Sequence, residues 1–206
     1  MFKKINCLFF LMLLASLVFP GSGLSQDKTP HAEFPVLITS CGQSPGATML
    51  KVIFNRLELE EDPKPYEVNP LAEAADLKAD EGSGRSFESL IIVMGASLKG
   101  MGAAGISIDD ELERIDALIQ QAKQLNITII GAHIEGMKRR AQGASPGDNT
   151  DELSIDAVAP NSDILVVNQA GDADQRFTNI SQSHNIPMLV VEKNLELIPA
   201  MEKIFN

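Results

Sequence analysis

Short apolar runs that end in small or polar residues alternate along the chain with segments of helical periodicity. The four strongest runs are residues 36–40, 90–94, 127–130 and 164–167. They are almost continuously apolar, which is typical of strands covered on both faces of a parallel sheet. The pattern also predicts a short edge strand at 66–68 and a last strand at 187–191.

Helical periodicity separates these predicted strands. Ser44 and Pro45 indicate a helix start, because serine is a preferred N-cap and proline fits the first helical position. The clearest helix follows Ser107 and ends near Asn126, with acidic residues in its first turn. Other helices are predicted at 71–77, from Thr150 to the residues before Pro160, around Phe177 and at 195–205.

The alternation predicts one α/β domain over residues 35–206, with a doubly wound, mostly parallel sheet between two helix layers. The fold class is flavodoxin-like or Rossmann-like. In a flavodoxin-like strand order, ligands bind where strands one and three lie side by side. The loops 41–46 and 95–105 are therefore expected to meet, with 131–136 beside them.

The N-terminus has the layout of a secretory signal peptide over residues 1–25. Lysines precede an apolar run at 8–19, and small residues follow near Gly23. Residues 26–34 are then a polar linker. We expect an exported protein, periplasmic or extracellular, without membrane insertion once the leader is cleaved; an uncleaved membrane anchor is the alternative.

Composition narrows the classes of partner. The formal net charge is −11, and removal of a leader that carries two lysines makes it −13. Such an acidic body disfavours nucleic acid and anionic membrane surfaces, because the electrostatic term is repulsive. The mature chain would keep one cysteine, Cys41, and hence no internal disulfide. No metal-binding motif is present, so neither a metal nor a cofactor is predicted.

The turn at 41–46 is the leading candidate site. It joins a strand to a capped helix, so free backbone N–H groups and the positive helix end would face the crevice and favour a carboxylate or phosphate. Gly42, Gln43 and Ser44 are the predicted ligand-binding residues here. The alternative is an ordinary strand-to-helix turn.

The segment 95–105 is the second candidate. It supplies Gly95, Ser97, Lys99, Gly100 and Gly102, and residues 100–105 spell G-x-G-x-x-G. In a dinucleotide site the first glycine follows the strand almost directly and the third lies within the opening helix. Here five residues intervene, so we favour a long flexible loop that offers N–H groups and Lys99 to a ligand.

Flanking residues widen the candidate site. His133 and Glu135 follow the third long strand, at 127–130, and are predicted to border the ligand. A thiol-dependent enzyme is the alternative, with Cys41 as nucleophile and His133 as its base. The basic residues 138–140 are interpreted as a solvated helix start, with a lid over an anion as the alternative.

Two sequence blocks together resemble a known family. P-V-L-I-T-S-x-G-Q-S, followed by L-I-I-V-x-G-x-S-x-K-G-x-G-A-A-G, is similar to an exported bacterial family described only as a domain of unknown function, number 6305. The likeness covers about residues 35–191. It implies no reaction, so no catalytic residue follows from it.

Three functional hypotheses remain open. The first is an exported, non-catalytic domain that binds a small anionic solute at the carboxyl ends of strands one and three. The second is the thiol-dependent enzyme. The third is an interaction module of an envelope complex, with a protein partner on the acidic surface.

Overall fold

The computed structural model describes residues 31–59, 61, 64–78, 86–141 and 148–205. The predicted signal peptide and most of the predicted linker lie outside these ranges. The last linker residues belong to the folded body: Ala32 is buried, and the ring of Phe34 stacks on Phe205 with centroids 4.6 Å apart.

Six parallel strands form one sheet in the order β2-β1-β3-β4-β5-β6. The strands are β1 Val36–Cys41, β2 Tyr66–Val68, β3 Ser89–Met94, β4 Thr128–His133, β5 Ile164–Asn168 and β6 Met188–Val191. This order confirms the predicted doubly wound, flavodoxin-like arrangement, in which the chain changes direction between β1 and β3.

Helices cover both faces of the sheet. They are α1 Gly46–Arg56, α2 Leu98–Ala104, α3 Ile108–Leu125, α4 Thr150–Val158, α5 Arg176–His184 and α6 Leu197–Phe205. Apolar residues of α3, α4 and α5 form one core cluster, and those of α1 and α6 form the other. Successive side chains of each strand pack alternately into the two clusters, as expected for a three-layer α/β/α fold. Within the described ranges, no helix has the length and apolarity needed to cross a membrane.

The predicted long flexible loop at 95–105 is wrong, because most of it is α2. The Ser97 hydroxyl caps this helix by accepting a hydrogen bond from the Gly100 N–H at 3.0 Å. The helix ends at Gly105, which adopts a left-handed conformation with φ of 72°. Met101 is buried and fixes the helix to the body. The segment 95–105 is therefore mainly helical despite its glycines.

Two other helix predictions need smaller corrections. Helix α1 begins one residue later than predicted, with Pro45 at the N-cap and the Ser44 hydroxyl accepting from the Gly46 N–H at 3.3 Å. The segment 71–77 contains only a 3₁₀ turn at Ala74–Leu77. By contrast, α3 starts as predicted, since Ser107 and Asp110 form a reciprocal capping box.

Candidate functional site

The turn after β1 already holds a carboxylate from the protein itself. The Gly42 N–H and the Gln43 side-chain amide both donate to Oε1 of Glu111, each at 2.8 Å. Glu111 comes from α3 and is fully buried, and its second oxygen accepts from Arg114 Nε at 2.9 Å. The Gly42 N–H, which was expected to bind an external anion, is therefore already bonded to a carboxylate of the protein.

The first turn of α1 also lies beside an internal carboxylate, although no hydrogen bond joins the two. A Cβ atom built on Gly46 would lie 3.2 Å from Glu135 Oε1 and 3.3 Å from Ser44 Oγ, so the Glu135 carboxylate lies beside the positive helix end. The other oxygen of Glu135 accepts from Arg139 Nε at 3.1 Å. Ser44 is buried and the Glu135 side chain is 9% exposed, so neither is presented to a ligand.

The segments after β1 and β3 meet as predicted, and hydrogen bonds join them. The Ser97 N–H donates to the Gly42 carbonyl at 2.7 Å, and the Gly95 N–H donates to the Cys41 carbonyl at 3.2 Å. Gly100 packs so closely that a Cβ there would lie 2.2 Å from the Gln43 carbonyl oxygen. At this point the two segments form a packed junction rather than a crevice.

The geometry opposes the thiol-dependent enzyme. Cys41 is fully buried, and this burial, reinforced by the charge of Glu111, raises the pKa of its thiol. A nucleophilic cysteine requires the opposite shift and access to substrate. His133 is also fully buried, stacks on Phe177 with ring centroids 4.8 Å apart, and has its pKa lowered to about 4 by burial. Its Nε2 lies 3.2 Å from the Gly136 carbonyl oxygen.

A cavity of about 510 Å³ opens at the carboxyl ends of β3 and β4. The start of α2, the 3₁₀ segment Gly136–Arg139 and the start of α4 surround it. The lining residues are Ala96, Ser97, Leu98, Lys99, Met137, Lys138, Arg139, Arg140, Asp148, Thr150 and Asp151. Of the predicted ligand-binding residues, only Ser97 and Lys99 line it. Gly42, Gln43, Ser44, Gly95, Gly100, Gly102, His133 and Glu135 do not.

The basic side chains of this cavity differ in their partners. Arg139 binds Glu135 and donates to the Ala96 carbonyl at 2.8 Å. Lys99 and Lys138 are exposed, and no carboxylate in the described part of the chain pairs with either of them. The two lysines are therefore the cations available to a ligand.

Arg140 is structural, contrary to the expectation of a solvated basic segment. It is 3% exposed and forms ion pairs with Glu152 at 2.8 Å and Asp174 at 2.6 Å. It also donates to the Gly171 carbonyl. The hydrogen bond from Arg140 lowers the pKa of Asp174 to about 2. Lys138, two positions earlier, is exposed as expected.

The acidic residues of the cavity come from the start of α4, which the sequence analysis did not connect with a site. Asp151 Oδ1 accepts from the Ala96 N–H at 2.6 Å, and Asp148 Oδ1 accepts from the Thr150 hydroxyl at 2.8 Å. Burial raises the pKa of Asp151. Acidic residues at a helix start were a visible signal, but they are common there for capping reasons alone. Among the described residues, no three His, Cys, Asp or Glu side chains are grouped to hold a metal ion.

Fold and site together define an α/β protein with a polar, mostly basic cavity at the carboxyl edge of its sheet. A family model for a domain of unknown function, DUF6305, matches residues 33–205, and the chain belongs to this family. A comparison with curated proteins finds no match.

Solved structures similar to this chain include two esterases. One is an acetyl xylan esterase, AlAXEase, with 12% identity, a TM-score of 0.36 and coverage of 82% of this chain and 85% of that one. The other is a serine-to-alanine mutant of the esterase AlinE4, with 12% identity, a TM-score of 0.31 and 84% coverage of each chain. Likeness at this level carries no inference about activity.

Proposed function

We propose that this protein is exported and binds a small anionic solute in the cavity at the carboxyl ends of β3 and β4. The observation that carries the proposal is the pair Lys99 and Lys138, two exposed lysines that line one cavity without a carboxylate partner among the described residues. Ligand sites of α/β sheets commonly lie at this edge.

The charge of the lining supports an anion. Of the four basic residues in the described lining, Arg139 and Arg140 are paired with carboxylates, which leaves Lys99 and Lys138 for an anion in a chain that carries −11 overall. Exposed cations in a concave surface attract anionic solutes. Two lysines without a carboxylate partner in one cavity of so acidic a protein favour a local anion site.

The proposed position differs from the one expected from the sequence. The turn at 41–46 has its N–H group and helix end matched by Glu111 and Glu135, so we do not place the ligand there. Catalysis by Cys41 is not proposed either, since burial opposes it. Binding to an envelope protein stays a prediction that no contact described above tests.

A thermal-shift panel of inorganic anions and small carboxylates tests binding, because a ligand of the native state raises the unfolding temperature by mass action. We expect at least one anion to stabilise the wild type and the response to vanish in Lys99→Met/Lys138→Met. Lys51→Met is the matched control, since Lys51 is an exposed lysine of α1 outside the cavity. An unchanged response in the double variant would show that the site is misplaced.

Export is tested separately by mass spectrometry of the protein recovered after expression with its own N-terminus. We expect a mature protein in the periplasmic or extracellular fraction that begins near residue 26. An intact N-terminus in the cytoplasmic fraction would refute export.

A further inference from the structure

The cavity carries both signs of charge on different structural elements. Lys99 belongs to the start of α2 and Lys138 to the 3₁₀ segment after β4. Asp151 belongs to the first turn of α4, and Asp148 lies just before that helix. All four line the same cavity, and no ion pair within 4.0 Å joins a lysine to an aspartate there.

The two aspartates keep hydrogen-bonding capacity. Asp151 uses Oδ1 for the Ala96 N–H, and Asp148 uses Oδ1 for the N–H and hydroxyl of Thr150. The second oxygen of each carboxylate receives no hydrogen bond from the described residues. These bonds fix both side chains in place while leaving one acceptor on each for a ligand.

The two carboxylates also lie close enough to repel each other. Burial raises the pKa of Asp151, the Ala96 N–H and the charge of Arg139 oppose this shift, and the charge of Asp148 adds to it. A cation placed beside both carboxylates would relieve this repulsion, and a buried carboxylate gains most from a charge-assisted hydrogen bond.

We propose that the solute is an ampholyte, with its acid groups on Lys99 and Lys138 and a protonated amine on Asp148 and Asp151. The inference rests on the proposed anion-binding function and narrows it to acids that also carry an amine. Two apolar side chains in the same lining, Leu98 at 63% exposure and Met137 at 38%, suit a short aliphatic segment between the charged groups.

A matched pair of probes isolates the amine. L-glutamate and glutarate have the same carbon chain and the same two carboxylates and differ in one ammonium group. We expect titration calorimetry to give a glutamate affinity about tenfold or more above that of glutarate, the effect of a charge-assisted hydrogen bond. The difference is expected to shrink at high salt, because the cavity is open to solvent.

Asp151→Asn tests whether the Asp151 carboxylate binds the ammonium group of the ligand. Asparagine retains an oxygen for the Ala96 N–H but loses the charge, so glutamate binding should fall towards that of glutarate while glutarate binding stays equal or tightens. Asp148→Asn should act in the same direction and serves as the second variant if Asp151→Asn fails to fold. Asp116→Asn, on the exposed face of α3, is the matched control and should change neither affinity.

The outcomes separate this inference from the proposed function. Equal affinities for glutamate and glutarate, with both lost in Lys99→Met/Lys138→Met, would overturn the ampholyte and leave the anion site standing. A glutamate preference that persists in both aspartate variants would overturn the assignment of the amine to these residues. Absence of binding by both probes and by every anion of the panel would overturn both proposals.

Discussion

The turn at 41–46 and the cavity beside β3 and β4 both place positive groups at the carboxyl edge of one sheet. In the turn, a backbone N–H and a helix end face the carboxylates of Glu111 and Glu135. In the cavity, Lys99 and Lys138 have no such partner among the described residues. The positive groups of the turn thus face carboxylates of the protein itself, whereas the lysines of the cavity are available to an external anion.

This difference teaches that a favourable anion-binding geometry does not by itself indicate a ligand site. Buried polar groups must find partners on folding, and a side chain distant in sequence often supplies them. Glu111 lies 69 residues from Gly42. The turn is therefore expected to respond to substitution through stability, and the cavity through ligand binding.

The largest expected effect is the loss of the Glu111 carboxylate. Glu111→Ala leaves the Gly42 N–H without its acceptor and the Arg114 guanidinium without its carboxylate in a buried site, which should lower the free energy of unfolding by about 3–5 kcal/mol. Urea denaturation measures it. Glu111→Gln, which keeps the shape, should cost less.

Glu113→Ala is the control for this prediction, because Glu113 is an exposed neighbour on α3. Its effect should stay within about 0.5 kcal/mol. A Glu111→Ala protein as stable as this control would mean that the turn does not depend on the internal carboxylate.

The next effect is a pH dependence from His133, at the end of β4. Its pKa is lowered from 6.5 to about 4 by burial, so between these pH values the unfolded chain binds the extra proton and the native state does not. The free energy of unfolding should therefore fall by about 3 kcal/mol as the pH decreases from 6.5 to 4.

His133→Gln removes the titration while retaining a hydrogen-bond donor, so denaturation curves of this variant should lose that part of the pH dependence. The low pKa of Asp174 changes the free energy of unfolding only at more acidic pH, because its stabilising contribution is lost as the pH falls from 3.8 to about 2. Identical pH profiles for wild type and His133→Gln would rule out His133 as the source.

The smallest effect concerns the junction between the two regions. Gly100→Ala would place a Cβ 2.2 Å from the Gln43 carbonyl oxygen, so it should cost about 1–3 kcal/mol despite the better helix propensity of alanine. Gly102→Ala, in the same helix, meets nothing within 4 Å and should be neutral or stabilising by up to about 1 kcal/mol. Equal effects in a thermal melt would contradict the close approach of α2 to the turn.

Much of the fold could be predicted from the sequence. The strand runs, the capping box at Ser107 and the strand order follow from local patterns and chain connectivity. Helix α2 was missed because its glycines suggest flexibility, whereas the cap at Ser97 and the burial of Met101 decide its conformation.

The site was less predictable, since it depends on contacts between distant residues. Ser97 and Lys99, which the sequence predicts to bind a ligand, line the cavity together with Lys138 of the basic segment 138–140. Nothing in the sequence pattern indicates that Glu111 binds the β1 turn or that Arg140 pairs with Glu152 and Asp174. Those pairings arise only when the helices pack on the sheet.

The most direct test of where the ligand binds is an amide NMR titration of the mature protein with the tightest anion of the panel. Binding in the cavity should shift the amide signals of residues 97–99, 137–139 and 148–151, and leave those of 42–46 nearly unchanged. Those shifts should be absent in Lys99→Met/Lys138→Met. Shifts centred on Gly42 to Gly46, and retained in the double variant, would contradict the account and return the site to the β1 turn.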